Sequence, residues 1–132
     1  MATLTGLGLI GGAATVAYNK HGDATVKIKD AAGHVHSVVI KSAGDGKRFS
    51  CPDGTAARLK PYDITAGRIE LTLQAVRRSE RAIEHRYPSG GAPSTIVSRF
   101  KALARRDNRL VAAFNAQGDR HNAIIARDCK QG

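Results

Sequence analysis

The second half of the chain carries its longest regular pattern of apolar residues. From Asp63 to Gln131, apolar side chains recur at alternating steps of four and three residues, the spacing of a helix with one buried face. Between the two halves of this stretch, residues 88–93 read Pro-Ser-Gly-Gly-Ala-Pro, a sequence that ends one helix and begins another. The pattern therefore predicts two long antiparallel helices that pack along a seam, as in a coiled coil.

The seam positions of the two predicted helices are apolar and aliphatic or aromatic. In the first helix they are Ile69, Leu73, Val76, Ile83 and Tyr87, and in the second they are Ile96, Phe100, Leu103, Leu110, Phe114 and Ile124. Because these side chains face the partner helix, we expect Phe100, Leu103, Leu110 and Phe114 to be buried.

The two predicted helices differ in length. The first is expected to begin near Thr65, with Asp63 or Thr65 as its N-cap, whereas the second runs to about Cys129. At ~1.5 Å per residue, the second helix would then extend roughly 20 Å beyond the first. The residues before the hairpin are therefore expected to cover Phe114 and Ile125.

The middle of the chain has the shorter periodicity of β-strands. Residues 25–29 alternate between polar and apolar side chains, residues 34–41 contain the run Val38 to Ile40, and residues 48–51 form a third short segment. Turn sequences at residues 30–33 and 42–46 separate the three segments. This arrangement predicts a small antiparallel sheet, and residues 56–62 are expected to connect it to the first helix.

The N-terminal residues 2–18 are apolar and uncharged, with several glycines. Four interpretations are open: a membrane-spanning segment, a signal sequence, a glycine-rich helix packed on protein, and a buried strand. The length is close to the minimum for a bilayer span, and the segment lacks the basic start of a signal sequence. Its glycines lower helix propensity in water but permit close helix packing in lipid.

The elements together predict an α+β fold. A small antiparallel sheet of about three strands packs on a long antiparallel two-helix hairpin, preceded by the apolar, Gly-rich segment. The expected division is residues 1–22 for that segment, as a membrane anchor or assembly segment, 23–62 for the sheet and 63–132 for the hairpin. At 132 residues, the sheet and hairpin are expected to form a single domain.

The formal net charge of +10 favours anionic partners or high solubility. Basic residues concentrate toward the turn of the hairpin, so this end is a candidate anion-binding surface. Its residues are Arg77, Arg78, Arg81, Arg99, Arg105, Arg106 and Arg109. Acidic residues are interspersed among them, and neither stacking aromatics nor helix-turn-helix spacing accompanies them. A solubilising face is therefore the competing interpretation.

The two cysteines, Cys51 and Cys129, are expected to form a disulfide. Cys51 precedes the hairpin and Cys129 ends it, and an antiparallel hairpin returns its end to the sheet. Such a bond requires a Cα–Cα separation of about 4.4–6.8 Å and an oxidising compartment. The expected location is therefore extracytoplasmic or membrane-associated, in a bacterium. The alternative is two unrelated thiols in a reducing cytosol.

Other polar residues have structural and functional interpretations. His34 and His36 share one face of a strand, but no further ligand pattern accompanies them, so we expect no metal or other cofactor.

Asp107 is expected to pair with Arg77 across the seam, and Glu80 is expected to lie nearer Lys101. The three asparagines that recur every seventh residue could bond sheet backbone or another chain; they are Asn108, Asn115 and Asn122.

The sequence contains no recognisable catalytic motif. There is no glycine-rich phosphate loop after a strand, no Gly-x-Ser-x-Gly and no nucleophile beside a base. We therefore expect a non-enzymatic protein–protein interaction or structural module, membrane-tethered or part of a larger assembly. Its partner would be another protein or a second copy, with membrane contact through residues 2–18. The alternative is nucleic-acid binding by the basic end of the hairpin.

Overall fold

The computed structural model describes residues 8–20, 22–41 and 49–131. The elements are β1 (Ala13–Tyr18), β2 (Ala24–Lys29), β3 (Val35–Ile40), β4 (Phe49–Ser50), α1 (Thr55–Arg86), α2 (Ser94–Asp128) and β5 (Lys130–Gln131). Strands β1, β2 and β3 form an antiparallel sheet that packs on α1, and α1 packs along α2. The predicted α+β fold with a helical hairpin is confirmed.

The third strand of the sheet is not the one that the sequence pattern indicated. The sheet has the order β1-β2-β3, and β1 comes from the apolar N-terminal segment. Ala14, Val16 and Tyr18 of β1 alternate toward the core, which is the buried-strand interpretation of this part of the segment. Residues 2–7 of the segment and the turn at 42–46 lie outside the described residues.

The short strand predicted at residues 48–51 pairs elsewhere. Its described part, β4, is antiparallel to β5 at the end of the chain, with Phe49 opposite Gln131. This second sheet has two strands and lies beside the disulfide. The earlier prediction that β4 extends the main sheet was wrong because the C-terminus returns to pair with it, which local periodicity does not reveal.

Helix α1 begins at Thr55 rather than near Thr65. Residues 56–62 are therefore helical and not a connector, and Pro61 lies inside the helix. Gly54 is the N-cap residue, so Asp63 and Thr65 do not cap the helix. With 32 residues in α1 and 35 in α2, the two helices nearly match, and the predicted overhang of α2 is wrong.

The core consists of two neighbouring clusters. One lies between the sheet and α1 and contains Ala24, Val26, Ile28, Val38, Ile40, Ala66 and Leu71. The other lies between the helices and contains Ile69, Leu73, Val76 and Leu110. Phe114 of α2 packs against both.

The predicted burial of the α2 seam is confirmed only in part. Leu110 is fully buried, whereas Phe100, Leu103 and Phe114 are half-buried. Toward the turn, the hairpin has only two helices side by side, so the outer side of each seam residue stays open to solvent. A two-helix layer without a third element cannot fully enclose large side chains.

Close contact between α1 and the sheet depends on Gly67. A Cβ atom at this position would lie 2.6 Å from Cγ1 of Val26. Only glycine therefore allows this approach of the helix to β2 without a shift of the neighbouring backbone or side chains.

The predicted disulfide is confirmed. Cys51 and Cys129 are joined with a Cα–Cα separation of 4.2 Å across 78 positions of sequence. Beside the bond, Nη2 of Arg58 lies 2.8 Å from Oδ2 of Asp128, which also ties the start of α1 to the end of α2. The disulfide is compatible with an extracellular location. Among the described residues, no helix has the length and apolarity that a membrane span requires.

Candidate functional site

A groove of about 640 Å³ lies between β3 and α2. One wall consists of residues 37–40 of β3 and of Lys41, which follows the strand. Glu70 and Gln74 of α1, together with α2 residues between Phe114 and Asn122, form the rest. The groove exists because α2 packs on α1 and leaves the side of the sheet next to β3 uncovered.

Strand β3 presents an unpaired backbone edge to this groove. The backbone N–H of Asp30 donates to the carbonyl of His34 over 2.9 Å, and these residues are directly opposite in the ladder. Opposite pairs in an antiparallel ladder alternate between bonded and non-bonded, so His36, Val38 and Ile40 bond β2. The N–H and C=O groups of alternate residues point away from β2; these residues are Val35, Ser37 and Val39.

In the part of the chain that the structure describes, no strand pairs with this edge of β3. The same alternate residues also expose their side chains on the outer face of the sheet. Val35 is 61% exposed and Val39 is 52% exposed, values that are high for valine in a folded domain. An edge strand that exposes apolar side chains together with free backbone groups is a template for pairing with another segment.

A buried polar cluster adjoins the groove through His121. His121 and Asp63 are each 1% exposed, and His121 borders the groove. Nδ1 of His121 lies 2.6 Å from Oδ1 of Asp63, and the hydroxyl of Tyr18 donates to Oδ2 over 2.7 Å. One carboxylate therefore holds the imidazole and the phenol in fixed orientations, and it joins β1, α1 and α2.

The cluster changes the acid–base behaviour of the phenol. Burial raises the pKa of Tyr18 far above its usual range, and the hydrogen bond to Asp63 and the carboxylate charge raise it further. Tyr18 therefore stays protonated near neutral pH and donates its hydrogen bond to Asp63.

The second nitrogen of the imidazole lacks a hydrogen-bond partner in the described part of the chain. Nε2 of His121 is buried and makes no hydrogen bond with any described residue. Buried polar atoms without partners are uncommon in folded proteins because each carries the full cost of desolvation. His121 thus borders the groove, while its Nε2 is enclosed and unsatisfied among the described residues.

Gly118 opens the wall of the groove one turn before His121. A Cβ atom at Gly118 would meet no other heavy atom within 4 Å. A glycine in the interior of a helix costs about 0.5–1 kcal/mol relative to alanine. Close packing against Val26 requires glycine at Gly67, whereas no described neighbour requires it at Gly118. The missing side chain of Gly118 leaves open space beside α2.

The recurring asparagines divide between the groove and the surface. Asn115 and Asn122 line the groove, whereas Asn108 is exposed and lies outside it. The amide groups of the first two are placed where they can bond the backbone of an incoming segment.

The histidines of the sheet form a separate, more exposed group. Nε2 of His36 lies 2.8 Å from Oδ2 of Asp30, and Nδ1 of His34 lies 3.8 Å from the same oxygen. The hydrogen bonds from His36 and from the His34 backbone lower the pKa of Asp30 below its usual value. Across residues 8–20, 22–41 and 49–131, no three His, Cys, Asp or Glu side chains are grouped to hold a metal ion.

The acids of the helix seam lie closer together than the sequence indicated. Asp107 pairs with Arg77 as predicted, with Nε of Arg77 3.2 Å from Oδ2. Glu80, for which the sequence indicated a position nearer Lys101, hydrogen-bonds Asp107. Burial and the contact with Asp107 raise the pKa of Glu80, and Arg77 only partly offsets this. The pair lies in the seam between the two helices.

The candidate anion-binding arginines are not equivalent. Arg77 is neutralised by Asp107, and Nη2 of Arg106 donates to the carbonyl of Gly8 over 3.2 Å. The remaining candidates are exposed and form no ion pair with the described residues; they are Arg78, Arg81, Arg99, Arg105 and Arg109.

Sequence reasoning did not foresee the Asp63–His121 contact. Asp63 was expected to cap a helix that begins later than α1 does, and no role was predicted for His121, which interrupts the apolar face of the predicted second helix. The available signal was that both polar residues occupy positions on the apolar faces of their helices, where a buried group needs a partner.

No protein-family description, no curated protein and no solved structure matches this chain. The function of the protein is therefore argued from the groove itself.

Proposed function

We propose that this protein is a non-enzymatic interaction module that binds an extended segment of a partner protein in the groove between β3 and α2. The free edge of β3 carries this proposal. The bound segment would pair antiparallel or parallel to β3 and become the fourth strand of the sheet.

The dimensions and lining of the groove suit a strand. Neighbouring strands lie about 4.8 Å apart, so an added strand occupies the space directly beside β3. Its backbone would bond the outward N–H and C=O groups of Ser37 and Val39. Every second side chain would then point down toward Phe114 and the α2 wall, while the others would extend the outer face beside the exposed valines.

The composition of the groove favours a protein segment over a small polar substrate. Apolar contact with Phe114 and Ile40 is combined with amides from Gln74, Asn115 and Asn122. Amides can donate to and accept from peptide groups, and an aromatic ring can cover one apolar side chain. The oxidising location with which the disulfide is compatible makes an extracytoplasmic partner the natural one.

The test is selection of peptides from a displayed library of random heptapeptides, with the intact protein as bait. Affinities of the selected peptides are then measured for the wild type, Ser37→Pro and Ser37→Ala. Proline removes the outward N–H but leaves the bonds of His36 and Val38 to β2 intact, and proline is tolerated on an edge strand. Alanine removes the hydroxyl and keeps the N–H.

We expect Ser37→Pro to weaken binding by about tenfold, equivalent to about 1.4 kcal/mol, and Ser37→Ala to change it little. Circular dichroism and thermal melting establish that both variants fold. Equal affinity for all three proteins, or no selected peptide at all, would show that β3 is not the binding edge.

An alternative is nucleic-acid binding by the hairpin end, which is favoured by five exposed arginines that form no ion pair with any described residue. Affinity would then fall steeply with salt, with a log–log slope close to the number of phosphates contacted. Replacing Arg105 and Arg109 with glutamate would weaken binding to all sequences alike. Undetectable binding at low ionic strength would remove this alternative.

A further inference from the structure

We propose that the turn end of the hairpin binds a second partner, an acidic protein segment that inserts one bulky apolar side chain between the two helices. The side chain would enter a pocket of about 230 Å³, which we call the tip pocket. This inference goes beyond strand addition to β3 and does not depend on it. The apolar residues of the tip pocket are Ile83, Tyr87, Ala92, Ile96, Val97 and Phe100.

The tip pocket exists because two helices alone cannot enclose their own seam. Ile83 of α1 and Ile96 and Phe100 of α2 face each other near the turn, yet all three are only half-buried. Val97 lies beside them and is 39% exposed. A partner side chain placed over this apolar surface would remove it from water, which favours association.

The size of the tip pocket indicates what kind of group enters it. Binding sites for small molecules usually have volumes of about 300–1,000 Å³, and the tip pocket is smaller. It is large enough for a single bulky side chain. In protein interfaces, a few such side chains seated in pockets contribute most of the binding energy. The tip pocket therefore fits an anchor residue of a protein partner better than a separate small ligand.

The charges around the tip pocket indicate an acidic partner. Lys101 borders the pocket, and Arg105 follows it by one helical turn on the same face of α2. Arg81 precedes Glu84, the acidic residue of the lining, by about one turn of α1. The three cations are exposed and form no ion pair with any described residue. Carboxylates on either side of the anchor would complement them, whereas a second copy of this chain would bring like charges together.

The apolar walls favour a protein segment over a nucleic acid at this pocket. Proteins bind single-stranded nucleic acids through cations together with aromatic rings on which bases stack. Here the guanidinium of Arg86 lies over the ring of Tyr87, 5.8 Å from its centroid, so one face of this ring is already covered. Phe100 is half-buried between the helices. Phosphate binding would use the cations but leave the apolar pocket empty.

The tip pocket is separate from the groove beside β3. At ~1.5 Å per residue, Phe100 lies roughly 20 Å along α2 from Phe114, the aromatic residue of the groove. A segment in one site therefore leaves the other open, and the two sites can be tested independently.

The first experiment selects ligands for the tip pocket from displayed random dodecapeptides, with the intact protein as bait. Clones that also bind Val97→Glu are discarded. This variant changes an exposed side chain and brings an acid to the pocket, and thermal melting confirms that it folds. We expect the remaining peptides to share tryptophan, phenylalanine or leucine flanked by aspartate or glutamate. If no clone remains, or if the remaining peptides lack acidic residues, the proposal is wrong.

The second experiment measures the affinity of one selected peptide for charge variants. Lys101→Gln should weaken binding by about two- to threefold, and Glu84→Gln should strengthen it by a similar factor. Lys60→Gln, the matched change on the first turns of α1 at the other end of the hairpin, should have no effect. Binding should weaken as salt is raised. Equal affinity for all of these proteins would overturn the assignment of an acidic partner.

The third experiment locates the bound peptide with ¹³C-labelled isoleucine methyl groups. An aromatic anchor in the tip pocket should shift the methyl resonances of Ile83 and Ile96, while Ile40 in the groove stays unchanged. A peptide that does this and binds Ser37→Pro with wild-type affinity supports the tip pocket, whether or not strand addition holds. If every selected peptide shifts Ile40 instead, the tip pocket is wrong and the groove proposal stands.

The same methyl resonances test the other possible occupants. A single-stranded oligonucleotide and phosphatidylglycerol vesicles are added separately to the labelled protein. We expect neither to displace a selected peptide from Ile83 and Ile96 at physiological salt. Displacement by the oligonucleotide or by the vesicles would assign this end of the hairpin to nucleic acid or to a lipid surface and would overturn the proposal.

Discussion

At the scale of single residues, two contacts show how buried polar side chains are paired in this small protein. Asp63 accepts a hydrogen bond from Tyr18 and contacts Nδ1 of His121, whose Nε2 is buried without a partner among the described residues. Glu80 is held against Asp107 in the seam, where one of its oxygens has no partner among the described residues. The Asp63–His121 contact lies beside the groove, whereas the Glu80–Asp107 contact lies in the seam between the two helices. Only the first contact is therefore close to the proposed binding surface.

The seam pair leads to a prediction about pH. Burial and Asp107 raise the pKa of Glu80, so the folded protein binds this proton more tightly than the unfolded chain does. The stability from Glu80 is present below its ordinary value of 4.5 and is lost as the pH rises through the raised value. Glu80→Gln, which stays uncharged, should therefore raise the melting temperature at pH 7 by about 2–4 °C.

The advantage of Glu80→Gln should shrink as the pH falls below about 4.5, where Glu80 is protonated in both states. The contribution of Asp107 to stability has the opposite pH dependence. Burial raises its pKa, but the hydrogen bonds of Arg77 and Glu80 lower it more, so its contribution is lost on acidification. Asp119→Asn, which removes one exposed carboxylate from the neighbouring helix, is the control. Equal changes in melting temperature for the two variants at pH 7 would mean that burial does not destabilise the charged form of Glu80.

At the scale of elements, the hairpin could be predicted well because its helices have strong local periodicity and a turn rich in proline and glycine. The start of α1 could not be predicted, because Pro61 resembles the boundary of a helix and the residues before it resemble a connector. Strand β1 was ambiguous because a short apolar run with glycines has the same composition in a strand, a buried helix or a membrane segment. The groove depends on how α2 is placed beside β3, which no local pattern contains.

The contact between α1 and the sheet gives a prediction at this scale. Gly67→Ala places a Cβ atom against Val26, which must move or force the helix away from β2. We expect a loss of about 1–3 kcal/mol in the free energy of unfolding, despite the better helix propensity of alanine. Chemical denaturation measures it, and Val26→Ala in the same chain should restore part of the loss.

Gly118→Ala is the matched comparison for Gly67→Ala, since both add one methyl group to a helix. Gly118 has no neighbour within 4 Å, so the substitution should stabilise the protein by up to about 1 kcal/mol. Similar destabilisation by both changes would contradict the packing described for α1 on the sheet.

At the scale of the whole molecule, the ends of the fold are tied together opposite the hairpin turn. The Cys51–Cys129 disulfide, the β4–β5 pair and the Arg58–Asp128 ion pair all lie at this end. The disulfide could be predicted because an antiparallel hairpin must return Cys129 toward the sheet. The edge of β3 remains free in the described part of the chain.

Removing the disulfide should weaken the fold without altering its helices. The bond closes a loop across 78 positions, which corresponds to about 4 kcal/mol in the chain-entropy treatment. Cys51→Ser with Cys129→Ser should lower the free energy of unfolding by a few kcal/mol, measured by denaturation. Far-ultraviolet circular dichroism should keep its helical signal. A loss of that signal would mean that α1–α2 packing depends on the bond.

The most direct test of the interaction groove is amide hydrogen exchange along β3, with and without a selected heptapeptide. In the free protein, the amides of Val35, Ser37 and Val39 should exchange much faster than those of Val38 and Ile40, which bond β2. Peptide binding should slow the outward amides and leave the inward ones unchanged. Outward amides that are already protected in the free monomer, or that remain fast in the complex, would contradict strand addition at this edge.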